Sequence, residues 1–305
     1  MDKKKIVIIA GPTASGKSSL AVSAAELIGG EIISCDSMQI YKYMDIGTAK
    51  ITREEMRGVP HYMLDLVDPR SEYSVSEFSR EAKALIDKIS ARSHIPVLVG
   101  GTGLYIESII YPLSFVVNKD DGVRKRLFEE YEKYGAEVMH ERLLKIDPVD
   151  AAKIHPHNVK RLLRALEIYE LSGKTKSEQD ERTIDPSYDI KLCVMIPERA
   201  ELYENIDARV EKMFSCGILD EVKKLLEMGV KWSDQSMQAI GYKEFKPYFD
   251  GHSDLDAVKE TIKKNTRNYA KRQITWFKRY DFADVYSSKD KEKMLYDIKL
   301  FGERQ

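Results

Sequence analysis

A glycine-rich loop near the amino terminus constrains the fold of this chain more than any other feature of its sequence. It matches the pattern G-x-x-x-x-G-K-[ST] at every defined position. An apolar, β-branched run at 5–10 precedes the loop, and residues 19–27 have helical spacing. A loop between a strand and a helix N-terminus surrounds an anion with backbone N–H groups. The sequence therefore predicts a loop that binds a diphosphate or triphosphate, made of Gly11, Pro12, Thr13, Ala14, Ser15, Gly16, Lys17 and Ser18.

Two side chains of this loop have predicted roles of their own. Lys17 supplies a positive charge to the terminal phosphates, and the Ser18 hydroxyl is a predicted ligand of Mg²⁺, the expected cofactor. The alternative interpretation is a glycine turn that only joins a strand to a helix. The agreement between the residue pattern and its context favours the phosphate site.

Composition limits the class of protein. The 305 residues suffice for one α/β domain with an insertion, or for two domains. Three widely spaced cysteines without a C-x-x-C pair predict neither a disulfide framework nor a zinc site. A charged fraction of 32% and a net charge of -1 are typical of a well-solvated protein, and no apolar run is long enough to span a bilayer. We expect a cytoplasmic monomer without membrane contact and without an obligate protein partner.

Alternation of strands and helices in the first third predicts the fold class. Apolar segments at 31–35 and 95–99 read as strands, with a helix at 76–90 between them. Apolar strands that alternate with helices favour a parallel sheet covered on both faces. We predict an α/β protein with a P-loop NTPase-like parallel sheet and flanking helices. The phosphate loop, the segment from Asp36 and the loop 100–103 should meet at the carboxyl ends of the strands.

The pattern changes in the middle of the chain. Residues 116–187 are mostly helical in spacing, and an apolar run at 190–196 resembles a return to the sheet. We therefore predict a core formed by 1–115 and 188–305, with a helical insertion domain at 116–187.

Polar residues at two predicted strand ends are candidates for chemistry. Asp36 follows the second strand and is placed to accept a proton or to hold Mg²⁺ through water. The alternative for Asp36 is a turn-capping role, which is common for aspartate. Thr102, in the loop after the third strand, offers a hydroxyl to a ligand or a cap to the next helix.

The C-terminal helix, about 255–280, is strongly basic. Lys263, Arg267 and Lys271 share one face of this helix. Glu260 is the single acidic residue in the sequence between 257 and 280. Such a row with nearby aromatic residues suits a phosphodiester backbone, although a solvated helix face is the usual explanation of a charge run. A second basic surface is predicted at Arg124, Lys160, Arg161 and Arg164.

Four blocks of sequence give the chain a family resemblance. It resembles the bacterial tRNA dimethylallyltransferases, also called tRNA isopentenyltransferases. Supporting blocks at 164–167 and 238–244 complete a set that keeps the family's order over nearly the whole chain. The four main blocks are 11–18, 36–41 with 44–50, 99–105 and 271–277.

The resemblance implies a reaction. Members of this family move a dimethylallyl group from dimethylallyl diphosphate to the N6 amine of adenosine 37 in tRNA. The phosphate loop would then hold the diphosphate leaving group, with Mg²⁺ on Ser18. Asp36 would accept the N6 proton, and Thr102 would hydrogen-bond near the reacting centre. The adenine would leave its stack to reach the site.

The resemblance also implies contacts with the anticodon stem-loop of tRNA, which the helical insertion would clasp. The implied tRNA-binding residues are Asp36, Ser37, Met38, Gln39, Thr102, Arg124, Lys160, Arg161, Arg164, Gly241, Tyr242, Arg267, Lys271, Arg272, Gln273 and Trp276. The alternative functions are a small-molecule P-loop kinase and a non-enzymatic, nucleotide-dependent RNA-binding switch.

Overall fold

The computed structural model describes residues 3–112, 122–179 and 184–304. The chain divides into two compact units. The first unit comprises Met1–Ile110 with Pro186–Gln305, and the second comprises Tyr111–Asp185. Residues 115 and 116, where the sequence placed the start of the insertion, lie outside the described residues.

A parallel sheet forms the centre of the first unit, which confirms the predicted fold class. Over the described residues it has six strands in the order β3-β2-β4-β1-β5-β6, with every pairing parallel. The strands are β1 (Lys4–Ala10), β2 (Gly30–Ser34), β3 (His61–Tyr62), β4 (Ile95–Gly100), β5 (Tyr188–Met195) and β6 (Asp284–Tyr286). Strand β3 is absent from the sequence-based prediction because two residues are too short to show a period.

Helices connect and cover these strands. The helix α2 begins with a capping box formed by Ser74 and Glu77, and its buried face carries Phe78, Ala82 and Ile86. The helices in chain order are α1 (Lys17–Ile28), α2 (Val75–Ser90), α3 (Gly103–Ile110), α4 (Val123–Ile146), α5 (Pro148–Ala151), α6 (Val159–Ser172), α7 (Lys176–Gln179), α8 (Arg199–Ser215), α9 (Ile218–Glu227), α10 (Lys246–Phe249), α11 (Leu255–Phe277) and α12 (Lys291–Glu303).

The core of the first unit lies between the sheet and its helices. Side chains of β1 and β4 such as Val7, Ile9 and Val97 are fully buried and pack with α1 and with α12 residues such as Ile298. Burial of strands on both faces explains why they are continuously apolar.

Strand order brings three loops together. Because β4 lies between β1 and β2, the carboxyl ends of these strands are adjacent. Gly100 ends β4 in close contact with the residue after β2, since a Cβ at Gly100 would lie 2.2 Å from the carbonyl oxygen of Cys35. This close approach puts Asp36 beside the loop that follows β4.

The second unit is helical over its described residues, which contain α4 to α7 and no strand. Leu127 and Leu143 of α4 pack against Leu162 and Leu166 of α6 in a separate apolar core. Gly135 interrupts the helical backbone of α4. Among the helices of both units in the described ranges, none combines the length and apolar character needed to cross a membrane.

Candidate active site

The phosphate loop joins β1 to α1, as its pattern predicts. Lys17 Nζ donates a hydrogen bond to the Pro12 carbonyl oxygen at 3.1 Å, so the lysine folds back over the loop. Ser18 lies in the first turn of α1 with an exposed side chain. The backbone N–H groups of this turn have no partner within the helix and are available to an anion.

Asp36 lies two residues after the end of β2 and contributes both to a turn and to the site. Its Oδ1 accepts a hydrogen bond from the Met38 backbone N–H at 2.9 Å, which is the turn-capping arrangement considered for aspartate. The residue also lines a cavity that includes Thr13 of the phosphate loop. The two interpretations of Asp36 are therefore compatible.

Thr102 lies between β4 and α3 and contacts the segment after Asp36. Its Oγ1 accepts from the Ser37 backbone N–H at 3.0 Å and donates to the Ser37 hydroxyl at 3.3 Å. These bonds tie the loop after β4 to the loop after β2. They hold the neighbouring carboxylate at a defined place along the cavity wall.

The cavity itself lies entirely within the first unit. Its volume is about 300 Å³, at the lower end of the range for small-molecule sites. The lining combines polar groups at the strand ends with an apolar portion from α8, α11 and the 238–243 segment. The lining residues are Thr13, Asp36, Ser37, Met38, Gly47, Thr48, Arg209, Met213, Gln238, Ala239, Ile240, Lys243, Ile262, Thr266, Tyr269 and Arg272.

Arg209 of α8 is a site residue that the sequence analysis missed. It lines the cavity beside Asp36 and also a pocket of about 260 Å³ that is lined by Lys17 and Ser18. Burial lowers the pKa of its guanidinium, and the charge of Asp36 opposes that change. A signal was present in the sequence, because Arg209 is spaced with Ile206 and Met213 on the apolar face of its helix.

Electrostatics couple the phosphate loop to Asp36. Burial lowers the pKa of Lys17 to about 8; the carboxylate of Asp36 raises it and the charge of Arg209 lowers it further. One carboxylate and two cations therefore share a partly desolvated space. Such a site attracts a multivalent anion strongly, since few water molecules screen the cations.

Tyr269 of α11 is a second residue that the sequence analysis did not assign to the site. Burial and the charge of Asp36 raise its pKa to about 12, while contacts with Thr102 and Gln273 act in the opposite direction. Its hydroxyl therefore stays protonated at neutral pH and lies near the two loops at the strand ends.

The structure gives Gln273 a role different from the implied tRNA contact. Its side chain is buried: Oε1 accepts from the Thr13 N–H at 2.9 Å and Nε2 donates to the Gly101 carbonyl at 2.9 Å. Both ends of the amide are thus used within the protein. We assign Gln273 to fastening α11 across the phosphate loop and the loop after β4.

Gly241 and Tyr242 also lie away from an RNA-accessible surface. Both are buried, and the Tyr242 hydroxyl donates to Glu221 Oε1 at 2.6 Å. The Gly241 N–H donates to Glu244 at 2.9 Å. The structure therefore accounts for both residues by contacts within the protein, and we assign the pair to the wall behind the cavity.

Part of the basic row on α11 is neutralised by acids of α8. Lys263 forms an ion pair with Glu211 at 2.8 Å, and Lys259 with the same carboxylate at 3.0 Å. Arg267 pairs with Asp207. Lys263 also pairs with Glu260 of its own helix at 2.8 Å. The sequence count of one acid therefore understates the compensation, because Asp207 and Glu211 come from a different helix.

The remaining implied contacts fall into exposed and enclosed groups. Lys271 and Arg272 on α11 are exposed. Trp276 is partly enclosed: Arg279 covers its ring at 3.9 Å from the centroid, and the indole Nε1 has no partner among the described residues. In the second unit Arg124, Lys160 and Arg161 are exposed, whereas Arg164 pairs with Glu167 at 2.9 Å.

The first strand of the parallel sheet leads into a Gly-Lys-Ser loop, and an aspartate follows the second strand. These features belong to the class of proteins with a P-loop NTPase-like fold. Comparison with known sequences narrows the class. A family model described as IPP transferase matches residues 39–280. The chain belongs to the tRNA dimethylallyltransferase family.

Two relatives illustrate the membership. The tRNA dimethylallyltransferase of Caldanaerobacter subterraneus subsp. tengcongensis is 48% identical over 91% of this chain and 90% of its own. The tRNA dimethylallyltransferase of Geobacillus thermodenitrificans is 46% identical over 97% of this chain and 94% of its own. These names are those of enzymes, and they do not favour a small-molecule kinase.

Solved structures agree with the sequence comparison. The full-length tRNA isopentenylpyrophosphate transferase of Bacillus halodurans has a TM-score of 0.73 at 41% identity, covering 99% of this chain and 97% of its own. A eukaryotic dimethylallyltransferase acting on tRNA has a TM-score of 0.83 at 32% identity, covering 94% of this chain and 74% of its own.

Proposed function

We propose that this enzyme transfers a dimethylallyl group from dimethylallyl diphosphate to N6 of adenosine 37 in tRNA and releases diphosphate. One observation carries the proposal: Asp36, Arg209 and Thr13 of the phosphate loop line a single cavity. A proton acceptor and an anion site on the same cavity suit an alkyl transfer that removes a proton and expels a diphosphate.

The proposed chemistry gives the two cations of the site and its carboxylate separate roles in the reaction. The C–O bond to the diphosphate breaks while the bond from N6 to the dimethylallyl carbon forms. Lys17 and Arg209 stabilise the negative charge that develops on the diphosphate. Asp36 accepts the N6 proton, and Thr102 positions the segment that carries this carboxylate.

Mg²⁺ is the proposed cofactor, and the residues present fit it in a limited way. No cluster of three His, Cys, Asp or Glu side chains suitable for a metal occurs in the described part of the chain. A Mg²⁺ ion would therefore take the exposed Ser18 hydroxyl together with diphosphate oxygens and water, which is a common mode for this ion. When bound, it would neutralise charge on the leaving group.

The proposed nucleic-acid partner is the anticodon stem-loop of tRNA. The exposed cations Lys271 and Arg272 on α11, and Arg124, Lys160 and Arg161 of the second unit, support contacts with the phosphodiester backbone. A eukaryotic relative has been captured acting on tRNA. We propose a cytoplasmic monomer that meets tRNA without an obligate protein partner.

One assay separates the transferase from the kinase. Purified protein is incubated with Mg²⁺, unmodified tRNA and labelled dimethylallyl diphosphate, without ATP. We expect label to enter the tRNA and to reside on an N6-modified adenosine after nuclease digestion. Label that enters a product only from the γ-phosphate of ATP would instead support a kinase.

The affinity for inorganic pyrophosphate should fall as the pH rises through about 8, because Lys17 then loses its proton. Below that pH the ammonium group attracts the anion, and above it the neutral amine does not. Calorimetric titrations between neutral and alkaline pH check this expectation. Lys17→Met is the control, since its profile reports only the titration of pyrophosphate and of other groups. Parallel profiles for the two proteins would contradict the assignment.

Lys271→Ala should reduce the slope of log K for tRNA against log salt by about one, as expected for one lost phosphate contact. Arg267→Ala should change the slope less, because Asp207 already compensates that charge. Filter binding over a range of salt concentrations measures both slopes. An equal or larger effect of Arg267→Ala would show that tRNA displaces Asp207 from this pair.

A further inference from the structure

Glu221 of α9 binds three consecutive backbone amides of a neighbouring segment. Its Oε2 accepts from the N–H groups of Asp45 and Ile46, both at 2.8 Å, and its Oε1 accepts from the Gly47 N–H at 3.1 Å. Hydrogen bonds from amides to a carboxylate are charge-assisted and strong. The side chain therefore holds this segment from outside, across a sequence separation of 176 residues.

A buried tyrosine completes the arrangement. The Tyr242 hydroxyl donates to Glu221 Oε1 at 2.6 Å, and the Tyr242 ring lies against Gly47. A Cβ at Gly47 would lie 2.5 Å from that ring, so the contact requires glycine. Burial and the carboxylate of Glu221 raise the pKa of Tyr242 well above its usual value, which keeps the hydroxyl a donor.

The held segment leads directly into the cavity wall. Its next residue, Thr48, presents a carbonyl oxygen that accepts from Arg209 Nη2 at 3.0 Å and from Gln39 Nε2 at 3.3 Å. Gly47 and Thr48 line the same cavity as Asp36. The position of the 45–48 segment thus fixes the acceptor of the Arg209 Nη2 hydrogen bond. It thereby also fixes the orientation of the other guanidinium nitrogens.

We propose that Glu221 is a positioning residue that orients Arg209 toward the diphosphate through the 45–48 segment. The inference rests on the proposed function, because it takes Arg209 as a ligand of that anion. Arg209 donates a hydrogen bond to the Thr48 carbonyl, which is neutral. This bond does not neutralise the guanidinium charge, which remains available to attract the diphosphate. The carboxylate of Glu221 accepts hydrogen bonds from the backbone amides, and Glu221 is not among the residues that line the cavity.

The test is a double-mutant cycle on binding of inorganic pyrophosphate with Mg²⁺, measured by calorimetry. Glu221→Gln keeps the shape but replaces one acceptor by a donor, which opposes the N–H groups it must face. We expect this variant to weaken pyrophosphate binding by about 10-fold, which is the typical loss when a residue that orients a ligand-binding side chain is changed. In an Arg209→Ala background, Glu221→Gln should not weaken pyrophosphate binding further, because the guanidinium that Glu221 orients is absent.

Two more variants make the cycle decisive. Asp220→Asn changes a neighbouring exposed carboxylate that bonds only locally to Lys223 and should leave binding unchanged. Tyr242→Phe removes one hydrogen bond to Glu221 and should give a weaker version of the same loss, and it serves as the test if Glu221→Gln does not fold. Additive effects of Glu221→Gln and Arg209→Ala, or an unchanged affinity in Glu221→Gln, would overturn the proposal.

The same proteins separate this inference from the function on which it rests. Wild-type protein that binds pyrophosphate but transfers no label to tRNA would contradict the proposed function alone. Wild-type protein that transfers label, with additive variants, would contradict the positioning role alone. In the steady state, Glu221→Gln should raise KM for dimethylallyl diphosphate while leaving KM for tRNA unchanged, a split that general loss of structure would not produce.

Discussion

Replacing Asp36 by asparagine should lower the turnover of prenyl transfer by about 10²–10⁴-fold, the range expected for loss of a general base. The amide retains an oxygen for the Met38 N–H, so the turn at the end of β2 is preserved. It has no basicity with which to accept the N6 proton. Affinity for tRNA should be largely unchanged, because the exposed cations that attract the backbone lie elsewhere.

Single-turnover transfer and filter binding measure the two parts of this prediction. Asp68→Asn is a matched control, since Asp68 pairs with Arg70, two residues along the chain, at the surface of the same unit. Turnover of Asp36→Asn near the wild-type rate would exclude Asp36 as the base. A parallel loss of tRNA binding would instead indicate that the carboxylate holds the base of the substrate.

Replacing Lys17 by methionine should reduce kcat by about 10²–10³-fold, comparable to the loss of one preorganised group that stabilises transition-state charge. Lys17 and Arg209 are the two cations that interact with Asp36 beside the phosphate loop. Methionine keeps the length of the side chain and removes its charge. Negative charge on the diphosphate grows as the C–O bond breaks. Removal of the lysine charge should therefore destabilise the transition state more than the ground state.

The measurement compares kcat and KM for dimethylallyl diphosphate in Lys17→Met with those in Lys88→Met, which alters an exposed lysine at the end of α2. A rise in KM with unchanged kcat would show that Lys17 binds ground state and transition state equally. That outcome would contradict the proposed stabilisation of the leaving group.

Much of the site was predictable because its signals are local. The phosphate loop is a contiguous pattern, and the buried strands that precede the loop and Asp36 are visible as apolar runs. The parallel arrangement followed from the alternation of strands and helices, and parallel sheets gather ligands at the carboxyl ends of their strands. These patterns alone therefore place Asp36 beside the loop, and Asp36 and Thr13 of the loop line the same cavity.

The roles that the sequence does not reveal depend on which elements pack together. Gln273 and Tyr242 belong to family blocks, and nothing in their immediate sequence distinguishes a contact with RNA from a contact within the protein. The structure buries both and uses their polar atoms internally. Arg209 shows the converse: its place on the apolar face of α8 can be read from the sequence, but the packing of α8 beside the phosphate loop is what makes it a site residue.

The α/β class, the phosphate loop and the acid beside it follow from short-range patterns of residue type along one or two elements, so the sequence is enough to predict them. The tertiary structure alone decided how charge is distributed. Asp207 and Glu211 of α8 neutralise Arg267 and Lys263 of α11, and Glu221 reaches the amides of the 45–47 segment. Coulomb interactions and hydrogen bonds depend on distance in space, and these partners are tens to more than a hundred residues apart along the chain, so a local pattern cannot reveal them.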